Sequence, residues 1–153
     1  MKQRLKNSDA QLIYNITDID KVIIHQLPDC GIPVKAGLPD AYLQDLHNKI
    51  DTKEILGLKD ETVIYRASGD SMIGKGIYDD TILIGHRGQI PENGNIVIAW
   101  LNDGCTVKEY HKDPDTGTIT LIPHNAAYHP IVVDPQRDYF VIQAIVTKTV
   151  NDI

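Results

Sequence analysis

The chain has 153 residues, enough for one domain with a sizeable core and too few for two full-sized ones. Its formal net charge of -6 works against a surface that neutralises phosphates, because nucleic-acid binding draws much of its affinity from clustered Lys and Arg, so direct sequence-specific DNA binding is not expected. No run approaches the ~20 consecutive apolar residues of a membrane span, and the charged stretch Met1 to Ala10 leads into no apolar signal core, which points to a cytoplasmic protein without a membrane partner.

Two cysteines, Cys30 and Cys105, are too few for a disulfide framework, and no Cys/His cluster has zinc-site spacing. His124 and His129 stand beside Pro123 and Pro130, where helical register cannot be assumed, and read as polar loop residues. Neither a metal nor a cofactor is expected.

From Leu12 to Leu27 short apolar runs alternate with polar pairs, a pattern for a strand or an extended N-terminal arm. Pro28, Gly31, Pro33, Gly37 and Pro39 then crowd into linker composition, with few backbone donors for a ladder. Asp40 is a suitable N-cap for one short helix carrying Tyr42, Leu43, Leu46 and Ile50 on one side, with Gly57 as its stop. Beyond it the pattern changes to period two or to short β-branched runs. Strands are predicted at Thr62–Ala67, Thr81–Gly85, Asn95–Leu101, Cys105–His111, Thr118–Ile122, Ile131–Val133 and Tyr139–Thr149, so the fold is mainly β. Asp113-Pro114-Asp115-Thr116-Gly117 has the residues of a tight turn and predicts a hairpin between its flanking strands. The organisation is then an arm over 1–30, a linker and short helix over 31–57, and a β-rich domain over 58–153.

Ser68-Gly69-Asp70-Ser71-Met72-Ile73-Gly74-Lys75-Gly76-Ile77 follows a clear strand and is dense in Gly, so the backbone can turn sharply and present Ser71. A serine hydroxyl needs an adjacent base and donors for a developing oxyanion, and a lysine is a known base for it. Lys108 lies on a strand-like run in which Thr106, Lys108 and Tyr110 share a face. Burial of that face against the Ser71 turn would favour the neutral amine, the only form that can take the serine proton. Taken singly, the serine reads as a cap or turn residue and the lysine as a solvated strand side chain.

In series, however, several blocks resemble the LexA/UmuD family of self-cleaving Ser-Lys proteins, and its UmuD branch above all. They are Cys30-Gly31-Ile32-Pro33, Ala67 to Ile73, Gly76-Ile77 with Asp79, Gly94 to Ala99, Thr106-Val107-Lys108, and Leu121 to Tyr128. The resemblance runs from about Leu27 to Thr149. It implies the family's peptidase β-fold, with Ser71 as nucleophile, Lys108 as general base and then general acid, and the Cys30–Gly31 bond as substrate. Backbone N–H groups of Ser71 and of Asp70 or Met72 would bind the oxyanion. Asp79-Asp80-Thr81 departs from the family's usual Asp-Gly-Asp and puts that local turn in question.

The short region before Gly31 lacks helical periodicity, which favours a UmuD-like role over a repressor. That role implies SOS mutagenesis: a homodimer, cleavage stimulated by RecA filaments on single-stranded DNA, and a processed form serving a UmuC-like translesion polymerase. The alternatives are a LexA-like or phage-type self-cleaving transcriptional regulator and a non-cleaving interaction module.

Overall fold

The computed structural model describes the backbone of residues 10–15, 27–28, 49–50 and 52–53, and whole residues from 54 to 153. The elements in chain order are β1 (Ala10–Asn15), β2 (Leu27–Pro28), β3 (Lys49–Ile50), α1 (Thr52–Leu56), β4 (Thr62–Ala67), β5 (Ile82–His86), β6 (Ile96–Leu101), β7 (Gly104–Lys112), β8 (Ile119–Ile122), β9 (Ile131–Val132) and β10 (Phe140–Val150). The fold is mainly β, as expected, and each strand predicted from Thr62 onward is present with its ends shifted by at most a residue or so.

The helix expected from Asp40 differs. Among the described residues Thr52–Leu56 is helical, and Lys49–Ile50 is instead a strand paired with Leu27–Pro28, while Asp40 lies outside them. Pairing with a distant segment has overridden a local periodicity here, as tertiary contacts commonly do. Gly57 does end the helix, at φ 64. Tyr42, Leu43 and Leu46 lie outside the described residues, as does most of the expected N-terminal arm. Within that arm, β1 pairs antiparallel with β4, Ala10 opposite Ala67 and Asn15 opposite Val63.

Eight strands form one sheet in the order β1-β4-β5-β10-β6-β7-β8-β9. β10, last in the chain, lies between β5 and β6. Its first half pairs with β6 and its second half with β5, with register shifts at Ile142/Ala144 and Val146/Lys148. Such irregularities bend a strand and sharpen its twist, which lets one strand serve two neighbours.

The core forms two clusters. Val63, Tyr65 and Ala67 from β4, Leu83 from β5 and Ile98 from β6 meet Met72, Cys105 and Val107 in one. Val97, Ala99 and Leu101 from β6 meet Tyr110, Leu121, Val133 and Ile145 in the other. β6 therefore buries Val97, Ala99 and Leu101 on one face and Ile98 on the other, with Trp100 exposed, in keeping with its continuous apolar run rather than an alternation.

Candidate active site

After β4 the chain leaves the sheet at Ala67 and returns at Thr81. The neck of this excursion is closed by Ala67 N–H donating to the Thr81 carbonyl at 2.8 Å and Asp80 N–H donating to the Ala67 carbonyl at 3.0 Å. Asp79 Oδ1 accepts the Gly69 amide at 2.8 Å, and a 3-10 turn over Ile73–Lys75 tightens the far side. Met72 and Ile77 plug the loop into the first core cluster. Ser71 is thus the residue just before a buried anchor, and it cannot drift far.

The departure at Asp79-Asp80-Thr81 resolves locally. Asp80 adopts φ 69, a left-handed conformation at the very position where glycine would be easiest. Asp is among the few residues that tolerate it, and the turn survives.

Lys108 projects from the middle of β7, where it sits opposite Val97 on β6 while Thr106 sits opposite Ala99. Its Nζ lies 2.8 Å from Ser71 Oγ, 3.0 Å from Thr106 Oγ1 and 3.0 Å from the Val107 carbonyl oxygen. Ser71 is 5% exposed and Lys108 3%. The face shared by Thr106, Lys108 and Tyr110 is therefore an interior one, all three side chains being buried. An amine and a hydroxyl brought together away from water form the kind of pair in which one group can activate the other.

The segment after β8 backs the serine turn. His124 N–H donates to the Ser71 carbonyl at 2.8 Å, and Gly74 N–H donates to the His124 carbonyl at 2.8 Å, a two-bond backbone stitch. Asn125 Nδ2 donates to the Asp70 carbonyl at 3.0 Å, and the Tyr128 hydroxyl donates to Asp70 Oδ1 at 2.5 Å. The His124 ring contacts Glu109 Oε2 through Nε2 at 2.7 Å, and Lys75 Nζ lies 3.2 Å from the same oxygen. Partial burial on its own would raise the Glu109 carboxyl, but the hydrogen bonds and charges of Lys75 and His124 outweigh it and hold the group below the usual carboxylate range.

Of the other residues singled out in the sequence, Asp70 is exposed at the rim, Met72 is buried, and Cys30 and Gly31 lie outside the described residues. Sequence reasoning missed the parts taken by Thr106, Glu109 and His124. Their signal was present only as membership of the blocks around Lys108 and Leu121 to Tyr128. Among the described residues no group of three or more His, Cys, Asp or Glu is gathered as metal ligands would be, and no helix is long and apolar enough to cross a membrane.

A hydroxyl on a tight turn beside a buried strand amine, carried by a strand-rich domain, is an architecture of serine-type hydrolytic chemistry. The chain belongs to the peptidase S24-like family, the LexA/UmuD group of self-cleaving serine peptidases, whose pattern matches residues 30–147. It is 36% identical over 101 residues to the LexA repressor of Carboxydothermus hydrogenoformans, covering 66% of this chain and 50% of that protein. It is 38% identical over 108 residues to the LexA repressor of Caldicellulosiruptor saccharolyticus, covering 71% and 52%. With the LexA repressor of Alcanivorax borkumensis it shares 28% identity over 127 residues, 83% of this chain and 60% of that one. The chain thus spans about half the length of the first of these relatives.

Proposed function

We propose that this chain is a self-cleaving switch in which Ser71 and Lys108 cut the Cys30–Gly31 bond. The observation that carries the reading is the 2.8 Å contact between two buried side chains 37 positions apart, Lys108 Nζ and Ser71 Oγ. A neutral amine has two N–H groups and one lone pair. A neutral Lys108 with its N–H groups on Thr106 Oγ1 and the Val107 carbonyl has its lone pair left to accept the Ser71 proton. Ser71 Oγ attacks the Cys30 carbonyl carbon as Lys108 takes its proton. The oxyanion lies against the backbone N–H of Ser71 and of Asp70 or Met72. Lys108 then gives that proton to the departing Gly31 amine, leaving an acyl ester on Ser71, which water, deprotonated by Lys108, hydrolyses. Cleavage divides the arm, 1–30, from the linker and β-rich domain, 31–153.

For the output of the switch, the relatives named LexA repressor support a self-cleaving transcriptional regulator, homodimeric and triggered by RecA filaments on single-stranded DNA. A filament that binds the docked form of the cleavage segment more tightly raises its population by that difference in affinity, without adding a catalytic group. The net charge of -6 favours a second reading, in which the processed form serves a UmuC-like translesion polymerase rather than releasing DNA.

Mass spectrometry after incubation with activated RecA, or at alkaline pH alone, tests the chemistry. New termini at Cys30 and Gly31 are expected in the wild type and not in Ser71→Ala or Lys108→Met, with a spontaneous rate that climbs between roughly pH 7 and 10. A flat rate over that range, or cleavage by either variant, refutes the Ser-Lys mechanism. A specific mobility shift of DNA by the intact protein, lost on cleavage, selects the regulator; binding of only the processed form to a polymerase selects the other reading.

A further inference from the structure

We infer that Glu109 and His124 are a positioning pair that holds the Ser71 turn in register with Lys108, a role that rests on the Ser-Lys reading above. The two residues close a ring. Ser71 Oγ meets Lys108 Nζ; Lys108 is the chain neighbour of Glu109; Glu109 Oε2 meets His124 Nε2 at 2.7 Å; and the His124 amide donates back to the Ser71 carbonyl at 2.8 Å.

Consecutive strand residues point to opposite faces, so the Ser71 turn and its backing loop touch β7 on both. Ser71 reaches Lys108 from one side, while Lys75 and His124 reach Glu109 from the other. A turn held on one face alone can pivot about its single contact; held on both, it cannot. That matters because the Ser71–Lys108 contact must itself break and reform during the reaction, and so cannot be what keeps the two elements aligned. The low-lying Glu109 carboxylate remains an acceptor over the working pH range, as a permanent tie requires.

Lys75 shares the same carboxylate oxygen but is half exposed, and its flexible ammonium makes no backbone bond to the 123–128 loop among the described residues. It neutralises Glu109; His124 is the member that carries the tie to Ser71.

The test is the self-cleavage rate of the full chain across roughly pH 7 to 10, measured well below each variant's unfolding midpoint. Glu109→Met and His124→Phe keep most of the side-chain volume while removing acceptor or donor. Each is expected to cleave about 10- to 100-fold more slowly at every pH with the shape of the pH profile unchanged, the signature of lost alignment rather than a lost base. The double variant falls within about twofold of the slower single one, because both remove the same contact. Glu109→Gln, whose amide oxygen still accepts from His124, recovers to within about threefold of wild type. Wild-type rates in either single variant, a double variant slowed by the product of both effects, or a Gln variant as slow as Met would overturn the inference. If Ser71→Ala and Lys108→Met also cleave, the Ser-Lys reading fails; if those two are inert while Glu109→Met and His124→Phe cleave normally, only the positioning role does.

Discussion

The Gly74 amide donates to the His124 carbonyl at 2.8 Å, and a Cβ built on Gly74 would lie 2.7 Å from that same oxygen. No side chain fits between them. The His124 carbonyl cannot retreat without breaking this bond and the neighbouring one from His124 N–H to the Ser71 carbonyl. Gly74→Ala is therefore expected to cost about 1–3 kcal/mol, the range for forcing an extra carbon into a packed site. It should also slow self-cleavage by moving Ser71. Chemical denaturation followed by the single tryptophan, Trp100, measures the first effect; unchanged stability together with an unchanged cleavage rate would show that the stitch is dispensable.

Thr106 offers a sharper probe of the lysine. Its hydroxyl is 3.0 Å from Lys108 Nζ and the residue is 4% exposed, so Thr106→Val replaces a buried acceptor with a methyl group of similar size. Loss of one such bond is worth about 1 kcal/mol, and the amine is left less well aimed at Ser71. Cleavage about tenfold slower is expected, with Thr106→Ser close to wild type. Equal rates for Val and wild type would remove Thr106 from the site.

Acid should loosen the far end of the same sheet. Thr62 Oγ1 accepts the Lys59 amide at 2.8 Å and lies 3.0 Å from His86 Nδ1. Burial first, and the nearby Lys59 charge second, hold His86 below the ordinary histidine range. A group with a depressed folded value stabilises the fold fully above its unfolded value, about 6.5, and loses that contribution as pH falls through the folded one. The urea midpoint is expected to drop on going from about pH 7.5 to pH 5, and an NMR titration should place the His86 midpoint below about 6.5. A midpoint at or above that value contradicts the assignment. At lower pH Asp113 joins in, because the backbone N–H groups of Thr116 and Asp115 depress its carboxyl, so the β7–β8 turn should lose protection as that carboxylate is protonated.

Asp80 carries backbone strain at φ 69. Glycine adopts that conformation freely but is looser when unfolded, so Asp80→Gly should change stability by no more than about 1 kcal/mol. A β-branched side chain has no such tolerance, and Asp80→Val should cost about 2 kcal/mol or more. Denaturation curves of the two variants separate them; similar curves would mean the turn relaxes to another conformation.

Much of this architecture could be read directly from the chain. The period-two and short β-branched runs from Thr62 to Thr149 located seven strands, and Asp113 to Gly117 located the β7–β8 hairpin, because both depend on near-neighbour chemistry. Ser71 and Lys108 were weak signals singly, a Gly-rich turn after a strand and a lysine on a strand-like run, and were assigned only through the resemblance of the blocks in series.

What depends on distant partners was hidden. Periodicity cannot say that β10 comes to lie between β5 and β6, or that Lys49–Ile50 pairs with Leu27–Pro28 rather than extending a helix, since pairing is chosen by packing elsewhere in the chain. Nor could it tell a solvated lysine from an interior one. The alternation placed Thr106, Lys108 and Tyr110 on one face, but only tertiary packing and the anchoring of Met72 put that face indoors and Ser71 against it. Residue types and their local spacing were determined by sequence; the meeting of Lys108 with Ser71, and of Glu109 with His124, was decided by tertiary structure, because both contacts exist only once strands far apart in the chain have packed.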